Sequence, residues 1–236
     1  VSLRNYLSLT NLCGMAQSSD MTLDAVPQGN ITLTLKRSNK MYVTAECHLT
    51  SAGIYSQSRP YQVEKKPRET PADYEKRTWR ERMHLSEVNP GKIVIPAMQF
   101  KNSLAECAKY MSQQIPGKGK ATYTKHFEAG VMPMGPMELD IKADDVIGEW
   151  VFVPSSGKRG DGNRVYKCFP KMNSWSGVVN FTIFDHTVTE EVFKLHLMQA
   201  GQFIGIGRWR PRNNGMYGKF AVDKVIWTEV EAAKVA

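Results

Sequence analysis

The stretch GQFIGIGRWRPRNNGMYGKF, residues 201–220, concentrates more potential chemistry than any other part of the chain. Gly201, Gly205, Gly207, Gly215 and Gly218 permit tight turns and close approach of a ligand to the backbone. Arg208, Arg210 and Arg212 occupy alternate positions, so an extended segment would set three guanidinium groups on one side. Trp209 and Tyr217 offer planar faces on which bases can stack. With Lys219 beside them, these residue types suit a single-stranded polyanion that carries flat rings. The spacing does not suit a dinucleotide: Arg210 stands where a third glycine belongs, and the loop follows a helical stretch instead of a strand. No Walker loop is present.

Two more basic clusters accompany the loop. Arg59, Lys65, Lys66, Arg68, Lys76, Arg77, Arg80 and Arg82 crowd a segment that also holds Tyr61, Tyr74 and Trp79. Lys118, Lys120 and Lys125 punctuate a glycine-bearing turn with Tyr123. Each cluster alone reads as solvated charged surface. Three in one chain of 236 residues point to cations that track a phosphate backbone without reading sequence. The whole chain agrees: 31 Lys and Arg against 23 Asp and Glu give a net charge of +8, which favours polyanionic partners through counterion release.

Catalytic and metal chemistry find little support. There is no GxSxG, no HExxH and no Cys/His pair at useful spacing. His48, His84, His126, His186 and His196 have no evident partner in sequence, and Asp73, Asp144 and Asp145 read as exposed charged turns. Cys13, Cys47, Cys107 and Cys168 are scattered, which argues against a zinc site or a disulfide framework and fits a reducing cytoplasm. No metal and no cofactor are expected. No apolar run reaches membrane-spanning length and no secretory signal opens the chain, so a cytoplasmic protein without membrane contact is expected.

The elements that must position these groups read as α+β. Residues 1–30 are polar and irregular and predict an N-terminal arm. Ile31, Leu33 and Leu35 alternate with threonines, Ser38-Asn39 turns, and Met41 to Leu49 continues as a strand. Residues 56–91 look inserted, with a short helix near Ala72 to Arg82, and 115–147 reads as a second insertion. Lys92 to Ile95 is a short buried strand, and Pro96 opens a helix whose Phe100, Leu104, Cys107, Ala108 and Met111 share one face. Residues 132–137, rich in Met, Pro and Gly, predict no regular structure. Strands are expected at 149–153 and 164–169 around a basic turn at 157–162, then across the alternating 174–185. Thr189 caps a helix to Ala200. Phe220 to Thr228 closes the chain as a strand.

Two of these motifs carry a family resemblance. A strand entering a helix through Ile95-Pro96, and a late helix followed by the loop with Gly205, Gly207, Arg208, Gly215, Gly218 and Lys219, together resemble the RAMP superfamily of CRISPR-associated proteins. The likeness is strongest to backbone subunits that polymerise along a guide RNA, and related phage or prophage proteins share it. It rests on about 40 of the 236 residues and on the order of elements between them. It implies a ferredoxin-like, RRM-related core over residues 31–236, with the basic insertions as extensions. It also implies a non-catalytic role holding single-stranded guide RNA, several copies along one strand, beside other effector subunits. Lys101 is the candidate for the basic residue that this family carries near the first turn of the helix, with Asn102 next to it. A phage protein that binds single-stranded DNA or assists recombination, and a guide-RNA-processing endonuclease, are the alternatives.

Overall fold

The computed structural model describes residues 40–155, 160 and 162–231. The arm at 1–30, the strand at Ile31 to Leu35 and most of the basic turn at 157–162 lie outside the described residues. The strands are β1 (Lys40–Ser51), β2 (Tyr55–Ser56), β3 (Lys92–Ile95), β4 (Val131–Pro133), β5 (Met137–Lys142), β6 (Ile147–Pro154), β7 (Arg164–Met172), β8 (Ser176–Ile183) and β9 (Phe220–Glu231). The helices are α1 (Pro71–Thr78), α2 (Ala97–Met111), α3 (Thr124–Gly130) and α4 (Glu190–Gln199). Strands and helices are mixed, and the pairings β1–β8, β2–β7, β3–β5, β4–β8 and β6–β7 are all antiparallel.

The central sheet has the order β4-β8-β1-β9. β8 is antiparallel to both of its neighbours, β4 and β1, so those two strands run in the same direction with β8 between them. The chain therefore runs β1–α2–β4 and then β8–α4–β9, and the two strand–helix–strand units interleave in one sheet. Alternation explains which face is covered. Val43, Ala45, Cys47 and Leu49 of β1 and Val179, Phe181 and Ile183 of β8 are all buried, as period-two side-chain placement requires. Against them α2 presents Phe100, Leu104, Cys107 and Ala108, and α4 presents Phe193 and Leu197. Phe181 meets Phe193 edge-on at 5.4 Å. Each such large apolar side chain contributes about 1.5–3 kcal/mol by leaving water.

Local signals set the helix ends. The Thr189 hydroxyl accepts from Val192 N, and Glu190 and Glu191 occupy the positive end of α4. Thr70 caps α1 in the same way through Asp73 N, with Pro71 pre-set for the first turn. α2 stops where Ser112 turns left-handed at φ 47°. No described helix is long and apolar enough to cross a membrane.

One expectation needs correcting. Residues 132–137 are irregular only at 134–136: Val131–Pro133 is a strand of the central sheet, and Met137 begins β5, which pairs with β3. Pro133 hides this strand from a sequence reading, because proline is excluded from central strands. β4 lies at the sheet edge, where a missing N–H is tolerated.

The basic segment after β2 does not hang free of the core. Trp79 and Met83 are buried in it, and α1 lies on β7, whose strand partners are β2 and β6. The clamp is Glu75. Its carboxylate faces Arg82 at 2.8 Å and accepts the Cys168 backbone N–H at 2.7 Å, with both charged side chains buried. Removing one partner of a buried ion pair leaves an uncompensated charge. Glu75→Ala is therefore expected to destabilise the protein by about 3 kcal/mol, read as a lowered urea midpoint. An unchanged midpoint would show that the pair holds nothing.

Candidate nucleic-acid interface

After α4 the chain widens into a π turn at Ala200–Ile204 and then doubles back on itself. Two short backbone stretches, 206–209 and 215–218, lie side by side: Ile206 N donates to Gly218 O at 2.9 Å and Tyr217 N to Trp209 O at 3.0 Å. This strap is fastened to the start of the fold. Arg208 N donates to Ser56 O at 2.9 Å, and Gly218 N to Ile54 O at 2.6 Å. The glycines serve this packing. Gly207 has φ 73°, and a Cβ there would overlap the Tyr55 ring and the Ser56 carbonyl oxygen. A Cβ on Gly218, at φ 72°, would collide with the Ile206 carbonyl. The crowding at these glycines comes from the protein itself, which is a different use from making room for a ligand.

Tyr55 is the pillar beneath the strap. Its hydroxyl donates to Gln99 Oε1 at 2.9 Å and accepts from Gln57 Nε2 at 3.3 Å. Gln57 also donates to Val94 O and accepts from His84 N. Burial raises the Tyr55 pKa well above the phenol range, so the ring remains neutral. This network sets α2, β3 and residue 84 at fixed distances from the loop.

The three alternate arginines do not share one side. Trp209 sits between the first two with φ 57°, and Pro211–Asn213 forms a 3-10 turn, so the segment is bent where the sequence reading assumed it extended. Arg208 turns toward β6 and β7. Its guanidinium carbon lies 3.7 Å over the centre of the Phe169 ring, and Nη1 is 3.5 Å from Glu149. Glu149 also accepts from the Tyr217 hydroxyl at 2.7 Å. Burial, with the Glu149 hydrogen bond behind it, pushes the Tyr217 pKa up to about 12. Arg210 and Arg212 turn the other way, and both reach Glu106 on α2, at 2.9 and 3.0 Å.

Between the strap and α2 lies an open cleft of about 480 Å³. Gln99 and Asn102 line it from the first turns of α2, Ser58 and His84 from the opposite side, and Gly207 to Arg210 with Asn213 from the strap. The two motifs of the sequence reading thus meet at one surface. Trp209 is 47% exposed there, and its left-handed backbone is an unusual state for a bulky residue. Its ring meets Tyr217 edge-on at 5.2 Å, and the Arg208 guanidinium carbon lies 5.7 Å from its centre. Around His84 the cleft is continuous with a neighbouring depression lined by Arg59. Arg59 makes no ion pair among the described residues. The cleft itself is lined by Arg208 and Arg210, which pair with Glu149 and Glu106, and by no carboxylate among the described residues, whereas the adjoining depression sets Arg59 beside Glu87 and Glu138.

The remaining sequence candidates are placed elsewhere. Lys101 is turned inward: its ammonium donates to the backbone carbonyls of Glu128 at 2.6 Å and Val131 at 2.7 Å, beside Phe127 O. It clamps the end of α3 and the start of β4 to α2, because three backbone carbonyls there lie within its reach. Lys118 and Lys120 are exposed in the turn after α2 and Lys125 on α3, and none of them lines the cleft. Arg77 grips Glu69 through Nε at 2.7 Å, and Arg80 lies 4.4 Å over the Trp79 ring. The Lys219 backbone joins Ala52 N–H, next to the strap. Sequence reasoning placed Arg59 in a basic cluster, read His84 as a histidine without a partner, and missed Gln99. The signal for Gln99 was its place one turn into the Ile95-Pro96 helix entry. Of the other described histidines, His126 pairs with Asp185 at 2.5 Å, His48 with Glu46 at 2.9 Å, and His196 is buried. Among the described residues no cluster of His, Cys, Asp or Glu could hold a metal.

No protein-family model matches the sequence, and no curated protein resembles it significantly. Similar solved structures include a chain of the type III-B Cmr-beta complex bound to cognate target RNA, 12% identical with a TM-score of 0.46 over 81% of this chain and 62% of that one. A chain of a CRISPR RNA-guided surveillance complex is 8% identical with a TM-score of 0.33, over 78% of this chain and 67% of that one. This chain thus spans less than two thirds of the first neighbour.

Two measurements check the geometry. Gly207→Ala forces a left-handed alanine against Tyr55 and is expected to cost about 1–3 kcal/mol from the backbone alone, whereas Lys101→Met should cost about 2 kcal/mol of stability and leave affinity for a strand unchanged in the folded protein. Burial, and secondarily Arg59, hold the His84 pKa below the ordinary histidine value. The neutral ring is favoured in the fold, so its stabilising share is present above the unfolded pKa and is lost as pH falls through the lower folded value. In a histidine NMR titration His84 should titrate below about 6.5, and Arg59→Ala should move it only part of the way back, since burial is the larger cause.

Proposed function

We propose that this protein is a RAMP-like, ferredoxin-cored subunit that holds single-stranded RNA in the cleft between the glycine strap and the first turns of α2. The carrying observation is that the strap and the helix entry, distant in sequence, form the two walls of one arginine-lined cleft with Trp209 displayed in it. The strand order β4-β8-β1-β9 with α2 and α4 as crossovers supports the ferredoxin-like assignment, since that fold interleaves two β-α-β units in this way.

In this reading Arg59 and the strap arginines hold phosphates, Asn102 and Asn213 hydrogen-bond sugars or base edges, and Trp209 stacks a base. Arg208, Arg210 and Arg212 are oriented by their carboxylates before the strand arrives, which lowers the ordering cost on binding. Several copies along one guide strand, within a CRISPR-type assembly, complete the proposal. The cleft's one histidine among the described residues, His84, has its pKa lowered by burial and, secondarily, by Arg59. The role we assign to the cleft is holding the strand.

Fluorescence anisotropy with labelled single-stranded RNA, single-stranded DNA and duplex tests this. Binding should prefer RNA over DNA and fall with salt at a log–log slope of about −2 to −3, for three or four phosphates at ~0.7 per contact. Trp209→Ala should weaken it about tenfold, within the range of one lost base stack. Preference for DNA selects the phage-type reading, and absence of binding at low salt removes the proposal.

A further inference from the structure

A second depression lies on the other side of Arg208. It runs between the segment after β2 and the β6–β7 ribbon, as two adjoining hollows of about 530 Å³ each that share Tyr61, Arg82 and Lys167. Clefts of ~300–1,000 Å³ are the size that takes small flat ligands. One wall carries Tyr74, with the Lys65 ammonium 5.9 Å from its ring centre. The other carries Phe152 and Tyr166, directly opposed across the two strands with ring centres 4.9 Å apart. Arg164 lies 5.7 Å over Phe152.

Two features of this wall call for an occupant. Phe152 and Tyr166 are 50% and 65% exposed, although a cross-strand aromatic pair has a large apolar area to cover. Lys65, Arg164 and Lys167 make no ion pair among the described residues, while Arg82 at the floor is already neutralised by Glu75. A purely apolar partner would strip water from these cations and return nothing. An acidic peptide would answer the charge and leave the rings bare. An unstacked base with its phosphate answers both.

We propose that this slot takes one nucleotide of a single strand, its base on the Phe152–Tyr166 pair and its phosphate between Lys65 and Arg164. The inference rests on the reading of the protein as a single-strand binder and adds a second contact to it. Arg208 lines both the strap cleft and the first of the two hollows, which shares Tyr61, Arg82 and Lys167 with the slot, so one strand leaving the cleft past Arg208 reaches the slot across that hollow. A duplex would not fit, because its bases are already stacked and paired.

The test uses the full chain and a short single-stranded RNA carrying one 5-iodouridine, moved position by position along the strand. Ultraviolet cross-linking and peptide mapping should find Phe152 or Tyr166 from one position and Trp209 from another. The double variant Phe152→Ala/Tyr166→Ala should bind that RNA about tenfold more weakly and bind an abasic strand as the parent does. Both side chains are surface-exposed, and an unchanged thermal midpoint confirms folding. Cross-links at Trp209 alone with unaltered affinity of the double variant would overturn the slot and leave the strap cleft standing. No binding of any strand would overturn both. Labelled poly-glutamate that binds the parent but not the double variant, with RNA affinity unaffected, would make the slot a peptide groove and overturn it as well.

Discussion

The strap of residues 205–218 is held by backbone touching backbone, and most of the functional surface depends on that contact. Ile206 lies against Gly218, Trp209 against Gly215 and Tyr217, and Gly207 against the Tyr55 ring. No side chain fits in these gaps, so glycine is required by space at Gly215 and by space and dihedral angle together at Gly207 and Gly218. Because Tyr55 also binds Gln99 and, through Gln57, β3 and residue 84, the strap is registered against α2. A shift of the strap would move every wall of the cleft at once.

That arrangement decides what the arginines can do. A guanidinium on a free loop is strongly solvated and loses side-chain entropy when it grips a phosphate. Here Arg208 is stacked on Phe169 and faced by Glu149, and Arg210 and Arg212 fork onto Glu106. The carboxylates lower the net charge but fix direction. In the proposed reading, binding would use placed groups more than bulk positive charge, unlike the exposed Lys118, Lys120 and Lys125, which line no part of the cleft.

What was legible in the sequence follows from the range of each signal. Alternation in β1, the apolar face of α2 and the Thr189 cap are local, and the structure repeats them closely. The central strand order needs partners that lie more than 100 residues apart, such as Cys47 with Val179, and no local pattern carries that. β4 was concealed by Pro133, whose acceptability depends on being at an edge. The three arginines were read as sharing one side because alternate spacing implies extension, and Trp209 breaks that assumption with one left-handed residue. Lys101 looked available because its acceptors sit 26 to 30 residues away in sequence. For β4 and Lys101 the deciding atoms belonged to distant elements, whereas the arginines turned on one residue of their own loop.

The other face of the central sheet shows why the strap side is the better place for a polyanion. In RRM-type proteins the open sheet face stacks bases on aromatic side chains. On β1 the outward residues here include Thr44, Glu46, His48 and Thr50. Glu46 is paired with His48, and Thr50 donates to Asp223 on β9. Two carboxylates and one imidazole, His48 held by Glu46, occupy the middle of that face, and the Tyr42–Phe184 pair lies toward one end. A phosphate chain crossing it would meet like charge there. Around the strap the balance is reversed, with excess arginine and a displayed tryptophan. The same helices that close the covered face of the sheet bring α2 beside the strap, so the core and the arginine-lined cleft are two consequences of one packing.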